Sequence, residues 1–217
     1  MRKAARRGDP SKKLISIGDW LVHHRSDTPY CVVCAQDLRI DGELSKKVVT
    51  HFSHPKGANC PTTAKTSRAY EIFKNTERVS AAEARKIKQY ALDNIESIYE
   101  RSRDICPDLT WLEFLPLLEK ATKLNVWAFK DFDRLYIPYL LLCCADVFPA
   151  NKYKRQNALF FVLEPGASQA EFWHQPESEK QRIWRVDAAT LDVDDIAMNL
   201  KEVVPWYRRK ATLALGL

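Results

Sequence analysis

Helical spacing of apolar residues dominates the middle of the chain. Ser80 and Glu83 form a capping box, in which each residue satisfies a free backbone donor of the other, and apolar residues then recur every three or four positions. Thr110 and Glu113 repeat this arrangement. A third stretch is rich in leucine and aromatic residues and is interrupted at Pro138. The pattern predicts three helices, over residues 81–102, 111–124 and 126–147.

The flanking regions show shorter apolar runs that are typical of strands. Such runs alternate with turn residues between positions 14 and 61. Beyond residue 150 the pattern predicts strands over 157–164 and 181–186, and then a last helix over 191–203. We therefore expect an α+β body over 63–217, with a layer of helices and a small antiparallel sheet.

The composition is that of a folded protein. The chain has 217 residues, of which 46% are hydrophobic and 29% charged, so it can form one core and a small additional module. No apolar run reaches the roughly 18 residues of a membrane span. The first 13 residues are basic and lack the apolar segment of a secretory signal, so we expect a cytoplasmic protein without a membrane partner.

The net charge of +6 is unevenly distributed. Residues 1–77 hold 14 Lys and Arg against 8 Asp and Glu, whereas residues 78–217 hold 20 of each kind. Residues 1–13 contain Gly8 and Pro10 and show no apolar periodicity, which predicts a flexible basic arm. Such an arm has two interpretations: it is a solubilising tail, or it is a segment that contacts nucleic acid.

Metal-ligating residues cluster in the basic third of the chain. Cys31 and Cys34 are spaced to place two thiolates on one tight turn, and His54 and Cys60 follow after a segment long enough for a hairpin. His51 is an alternative to His54, but the two face opposite sides of a regular strand. We predict that Cys31, Cys34, His54 and Cys60 bind one zinc ion.

Four protein ligands would make this site structural rather than catalytic. They leave no open position on a tetrahedral zinc ion, and no Glu stands beside a histidine ligand to act as a base. We therefore predict an N-terminal zinc ribbon over residues 14–62, which joins the α+β body.

The motif Cys-x2-Cys, followed by His-Phe-x-His and a further Cys, resembles the N-terminal zinc ribbon of CoiA-like competence proteins and related bacterial proteins. The resemblance covers residues 14–75 and is carried by Cys31, Cys34, His51, Phe52, His54 and Cys60. The family often continues with a helix, for which the matching stretch is 66–74. There Ser67 and Lys74 agree with the family pattern, while Thr66 and Tyr70 depart from it.

The resemblance also implies a following nuclease domain, but its catalytic motif is missing. That domain uses an Asp and a Glu-x-Lys pair to hold a divalent metal and activate water. No Lys in this chain has an acidic residue two positions before it, and the predicted helices occupy the place of the nuclease sheet. No nuclease residue is therefore carried over, and we expect no catalytic residues.

Together these observations favour a non-catalytic nucleic-acid-binding accessory protein of bacterial or phage type, with DNA favoured over RNA. The body would dock a protein partner. Two alternatives stay open: a protein-interaction adaptor with a purely structural zinc, and a diverged nuclease of the competence type. The residues predicted to contact phosphates are Arg2, Lys3, Arg6, Arg7, Lys12, Lys13, Lys46, Lys47 and Lys56.

Overall fold

The computed structural model describes residues 1–58, 60–63, 76–131, 133–163, 182–201, 204 and 206–215. These residues form six α-helices and three small antiparallel sheets. The prediction of a mixed α+β fold is therefore confirmed. The stretch 66–74, which is compared with the helix of the CoiA-like family, falls outside the described residues.

The first sheet gathers three short segments from the start of the chain. Strand β1 lies at its centre and pairs antiparallel with β2 and β3. Helix α1 follows β2 directly, and the Ser16 side chain accepts a hydrogen bond from the Asp19 amide to cap it. The elements are β1 (Lys3–Arg6), β2 (Ile15–Ser16), α1 (Ile17–His23) and β3 (Pro29–Tyr30).

The prediction of a flexible arm over residues 1–13 is wrong for its first half. Ala4 and Ala5 are 1% and 0% exposed within β1, and Met1 is also buried. Their small side chains fit where the strand is covered on both edges, by β2 and by β3. Because basic residues flank the two alanines, the hydrophobic pattern of the sequence does not predict this strand.

The second sheet is a hairpin of β4 (Arg39–Asp41) and β5 (His51–Ser53). Phe52 lies in its centre and is fully buried. The Met1 ammonium donates to the Phe52 carbonyl at 3.0 Å, and the Phe52 amide donates to the Met1 carbonyl at 2.8 Å. The chain start therefore extends this sheet on the edge of β5 away from β4.

Four helices form the middle of the protein. Both predicted capping boxes are confirmed, since Ser80 with Glu83 and Thr110 with Glu113 exchange the expected hydrogen bonds. The single helix predicted over 81–102 is divided at Asn94, whose side-chain amide donates to the Tyr90 carbonyl at 2.9 Å. The helices are α2 (Ala81–Asp93), α3 (Ile95–Ile105), α4 (Trp111–Lys123) and α5 (Ile137–Cys144).

The long helix predicted over 126–147 is wrong in its first half. Asn125 and Asp131 adopt left-handed backbone angles, with φ of 53° and 56°, which interrupt helical continuation. Only short 3-10 turns lie at 126–128 and 134–136. Pro138 stands in the first turn of α5, where its missing amide proton is not needed, so it begins the helix rather than interrupting it.

The third sheet has the order β6-β7-β8 and is antiparallel throughout. The helix predicted over 191–203 is wrong, because this segment contains β8. Ion pairs across the two strands favour the pairing, with Arg182 to Asp195 at 2.7 Å and Arg185 to Asp194 at 3.2 Å. The elements are β6 (Leu159–Leu163), β7 (Arg182–Asp187), β8 (Val193–Ala197) and α6 (Trp206–Leu215).

One hydrophobic core joins these parts. It includes Met1 and Trp20 of the N-terminal region, all of α5, and Val193 of β8. Backbone and ionic contacts also cross between the two ends, since the Arg2 amide donates to the Asp192 carboxylate and Lys3 pairs with Asp194 at 3.7 Å. Within the described part of the chain, no helix combines the length and the apolarity needed to cross a membrane.

Candidate metal centre

The first two candidate ligands lie on a tight loop between β3 and β4. The Ala35 amide donates to the Cys31 carbonyl at 2.8 Å, and the Cys31 amide donates to the Gln36 carbonyl at 2.9 Å. Ala35 follows Cys34 and takes a left-handed backbone with φ of 57°, which reverses the chain. These hydrogen bonds place both thiols on the same side of the loop.

The other two candidate ligands come from the segment after β5. His54 follows the last residue of that strand, and a turn over Pro55–Ala58 is closed by a 3.1 Å hydrogen bond between its end residues. Gly57 has φ of 83° in this turn, where a side chain would be strained. Cys60 then begins a second turn, since the Thr63 amide donates to its carbonyl at 3.0 Å.

The two loops bring the four side chains to one point. The ligand atoms of Cys31, Cys34, His54 and Cys60 all lie within 4.8 Å of one another. The Cys31 and Cys60 sulfurs are 3.9 Å apart, and the Cys34 sulfur is 3.4 Å from His54 Nε2. Tetrahedral zinc with ordinary bond lengths would separate two sulfurs by about 3.8 Å, and a sulfur and a nitrogen by about 3.6 Å. The donor set therefore fits a tetrahedral metal ion.

Burial distinguishes the two halves of the cluster. Cys31 and Cys60 are fully buried, whereas Cys34 and His54 are partly exposed. The Thr62 hydroxyl is also buried and lies 3.1 Å from the Cys60 sulfur. A metal ion in this position would be screened from solvent on the side of Cys31 and Cys60 and approached by solvent on the other.

Hydrogen bonds among the thiols shift the pKa values of Cys31 and Cys60 in opposite directions. The contacts from Cys31 and Cys34 to the Cys60 sulfur lower the pKa of Cys60, and the pKa of Cys31 rises because it donates to its neighbours. Burial lowers the pKa of His54, but hydrogen bonds to Cys34 and Cys60 outweigh it and raise the pKa to about 9. Cys60 therefore ionises more easily than Cys31.

Arg7 contacts the cysteine loop from outside. Its guanidinium donates to the Ala35 carbonyl at 2.7 Å and to Asp37 through Nε at 2.9 Å. The same group lies 4.6 Å from the centre of the Tyr30 ring. The sequence predicted a phosphate contact for Arg7, but its donors are used on the loop that carries Cys34. This role depends on the contact between residues 7 and 35, which no pattern in the sequence indicates.

The remaining histidine and cysteine candidates lie elsewhere. His51 is outside the four-residue cluster, and its Nδ1 atom lies 2.9 Å from the Val49 carbonyl. Cys106, Cys143 and Cys144 are buried in the core. Burial raises the pKa of Cys106 to about 11 and that of Cys144 to about 12, so these thiols are protonated at neutral pH.

The predicted phosphate-binding residues fall into two groups. Lys3, Arg6 and Arg7 make ion pairs with acidic residues of this chain, Arg6 at 3.7 Å from both Asp9 and Asp27. The others have exposed side chains, and no ion pair involves those of the described residues Arg2, Lys13, Lys46, Lys47 and Lys56. Lys12 is exposed as well. Arg2, Lys13, Lys46, Lys47 and Lys56 therefore keep their charge available to an external anion.

No family model, no curated protein and no solved structure matches this chain. Three thiols and one imidazole on two short loops can hold one metal ion and leave no free coordination position.

Proposed function

We propose that the cluster of Cys31, Cys34, His54 and Cys60 is a structural zinc site. Three sulfurs and one nitrogen in tetrahedral reach are the donor set that zinc prefers among the common metal ions. The metal would cross-link the loop after β3 to the loop after β5. It would thereby hold in place the segment from His54 to Cys60, which carries Lys56.

We further propose that the protein is a non-catalytic nucleic-acid-binding accessory protein. The observation that carries this proposal is a set of three exposed lysines on the connection of the β4–β5 hairpin and on the loop that carries two of the metal ligands. Lys46 and Lys47 lie in the exposed connection between β4 and β5, and Lys56 lies between two of the metal ligands. Exposed lysines on a rigid scaffold are suited to the phosphate backbone, which supplies affinity without base sequence preference.

Charge-removing substitutions test this proposal. The variant K46Q/K47Q/K56Q is compared with a matched control, K86Q/K88Q/K152Q, whose lysines are also exposed. Fluorescence anisotropy with single- and double-stranded DNA and RNA is measured over a range of salt. Each lost phosphate contact lowers the slope of log affinity against log salt by about 0.7 to 0.9, so the first variant loses about two to three units. An equal slope in both variants contradicts the proposal.

A cleavage assay separates this function from that of a diverged nuclease. We expect no cutting of DNA or RNA in magnesium or manganese, because the chain lacks an acidic residue two positions before any Lys. Cutting that disappears when a carboxylate of this chain is replaced would establish the enzyme instead.

An exposed apolar patch favours a second role as a protein-interaction adaptor. Trp111, Leu112 and Leu115 of α4 are 41%, 80% and 39% exposed. Aromatic and leucine side chains of this kind are typical of docking surfaces in the body of a protein. Capture of a protein partner that is lost in L112D, but kept in a variant with nucleic-acid contacts removed, would support this role.

A further inference from the structure

A cavity of about 160 Å³ is lined by residues between positions 90 and 208, none of which belongs to the metal centre. It is bounded by the α2–α3 junction, the 3-10 turn at 134–136, the segment after β8, and α6. Among the described residues that line it, none is acidic and four are cationic. The four are Arg101, Arg134, Lys201 and Arg208.

Hydrogen bonds to the backbone hold the wall of this cavity. The Tyr139 hydroxyl donates to the Asn199 carbonyl at 2.9 Å and accepts from the Asn199 amide at 2.8 Å. Arg101 is only 16% exposed in its side chain and donates to the Lys201 carbonyl at 3.4 Å. The segment that carries Lys201 is therefore anchored to α5 and α3 before any ligand arrives.

Helix α6 is attached to the start of α3 by one carboxylate. Glu96 lies 3.8 Å from Arg208 Nε. Its hydrogen bond to the Tyr207 hydroxyl raises the pKa of that hydroxyl to about 12. These contacts place Arg208 at the rim of the cavity beside the first turn of α3.

The acidic residues near the cavity leave much of its charge unbalanced. Asp104 lies 3.6 Å from Arg101, and Glu96 reaches Arg208 only at the longer distance already given. Arg134 lies 4.9 Å from the centre of the Tyr90 ring. Within the described part of the chain, no ion pair involves Arg134 or the Lys201 ammonium. The cavity therefore carries a positive potential that a bound anion would neutralise.

The first turn of α3 adds neutral donors to the same cavity. Asn94 and Ser97 both line it, and the Asn94 side chain makes no cap to the helix. Free amides in the first turn of a helix carry partial positive charge and favour an anion. Together with the four cationic side chains, they supply both charge and hydrogen-bond donors from several directions.

We propose that this cavity binds a phosphoryl group. Three guanidinium groups offer forked donors that match phosphate oxygens, and the ammonium of Lys201 adds charge. The phosphoryl group could belong to a small phosphate ester or to the 5′ end of an oligonucleotide, and the two share this chemistry. The proposal does not depend on Lys46, Lys47 or Lys56, so either proposal can fail while the other stands.

Binding of inorganic phosphate tests the site directly. Isothermal titration is performed with the full chain, with R134Q/K201Q, and with the control R103Q. Arg103 lies on the same helix α3, is exposed, and stacks on the Tyr99 ring at 5.6 Å outside the cavity. We expect the double variant to bind phosphate about tenfold more weakly for each cation removed, and R103Q to be unchanged.

Two further measurements complete the test. Circular dichroism establishes that each variant is folded. The variant R101K keeps a positive charge at this buried position but lacks the forked donors of the guanidinium group. Adenosine monophosphate and an oligonucleotide with and without its 5′-phosphate distinguish the two sources of the phosphoryl group. The proposal is overturned if phosphate does not bind the full chain at millimolar concentration, or if the double variant binds it as tightly as R103Q does.

Discussion

Arg155 donates a charged hydrogen bond to Glu113 in the interior of the protein. The Arg155 side chain is 1% exposed, and it also donates to the Pro149 carbonyl at 2.6 Å. The other oxygen of the same carboxylate accepts from the Thr110 amide at 3.0 Å and completes the capping box of α4. One carboxylate thus caps a helix and neutralises a buried cation.

Replacement of Glu113 tests this double role. We expect E113Q to reduce the free energy of unfolding by about 3 to 5 kcal/mol, because the Arg155 charge remains buried without its partner. The matched control is E83Q, which changes the equivalent residue of the exposed capping box at Ser80. It should cost less than about 1 kcal/mol, because Gln still accepts the backbone hydrogen bond and only the favourable negative charge at the helix start is lost. Urea denaturation measures both values. A similar small loss for E113Q would mean that water reaches Arg155.

We expect the metal content to depend on His54 and not on His51. Cys60→Ser and His54→Gln are expected to lower the bound zinc, measured by elemental analysis, well below one ion per chain. His51→Gln and Cys144→Ser are the controls and retain it, because their side chains lie outside the cluster. Loss of zinc in His51→Gln with retention in His54→Gln would exchange the roles of the two histidines.

Zinc affinity should fall steeply in acid. In the metal-free cluster the pKa of His54 is raised to about 9, and that of Cys31 is also raised, so both groups hold a proton at neutral pH. Each must lose it to bind the metal, and protons therefore compete with zinc at every pH below the pKa of His54. We expect the affinity to drop by orders of magnitude from about pH 8 to about pH 6.

Competition with a chromophoric chelator at several pH values measures this dependence. Titrations in buffers with different ionisation enthalpies count the protons released. Two protons, one from His54 and one from Cys31, are the minimum expected. Zinc affinity that is constant over this range would exclude direct ligation by these residues.

The left-handed backbone at Ala35 makes a specific stability prediction. A residue with a Cβ atom costs roughly 1 to 2 kcal/mol in this conformation, and glycine avoids this cost at an entropic loss of about 0.5 to 1 kcal/mol. Ala35→Gly should therefore leave the protein equally stable or more stable by up to about 1.5 kcal/mol. Ala82→Gly in α2 is the control and should destabilise by about 0.5 to 1 kcal/mol. Thermal unfolding compares the two.

Local signals in the sequence were sufficient for several features of the fold. The capping boxes at Ser80 and Thr110 each involve residues three positions apart, so their effect is independent of tertiary context. The spacing of Cys31 and Cys34 is likewise local, and His54 joins the cluster while His51, three residues earlier in β5, does not. Such features can be predicted because the physical interaction is contained in a few consecutive residues.

Features that depend on distant partners could not be predicted in this way. Strand β1 is two alanines between basic residues, and only pairing with β2 and β3 makes it a buried strand. Strand β8 contains acidic residues that are stabilised by Arg182 and Arg185 of β7. The basic cavity draws its charges from four separate segments, and nothing in the spacing of those residues indicates that they meet.

The contact between Arg2 and Asp192 has a consequence for synthesis of the protein on the ribosome. The two residues are 190 positions apart, so β1 cannot complete its surroundings until most of the chain has been translated. The metal ligands span only residues 31 to 60 and emerge long before. Because contacts close in sequence form first, metal capture can precede the contact between Arg2 and Asp192. The nascent chain would then carry a cross-linked N-terminal segment before β8 has been synthesised.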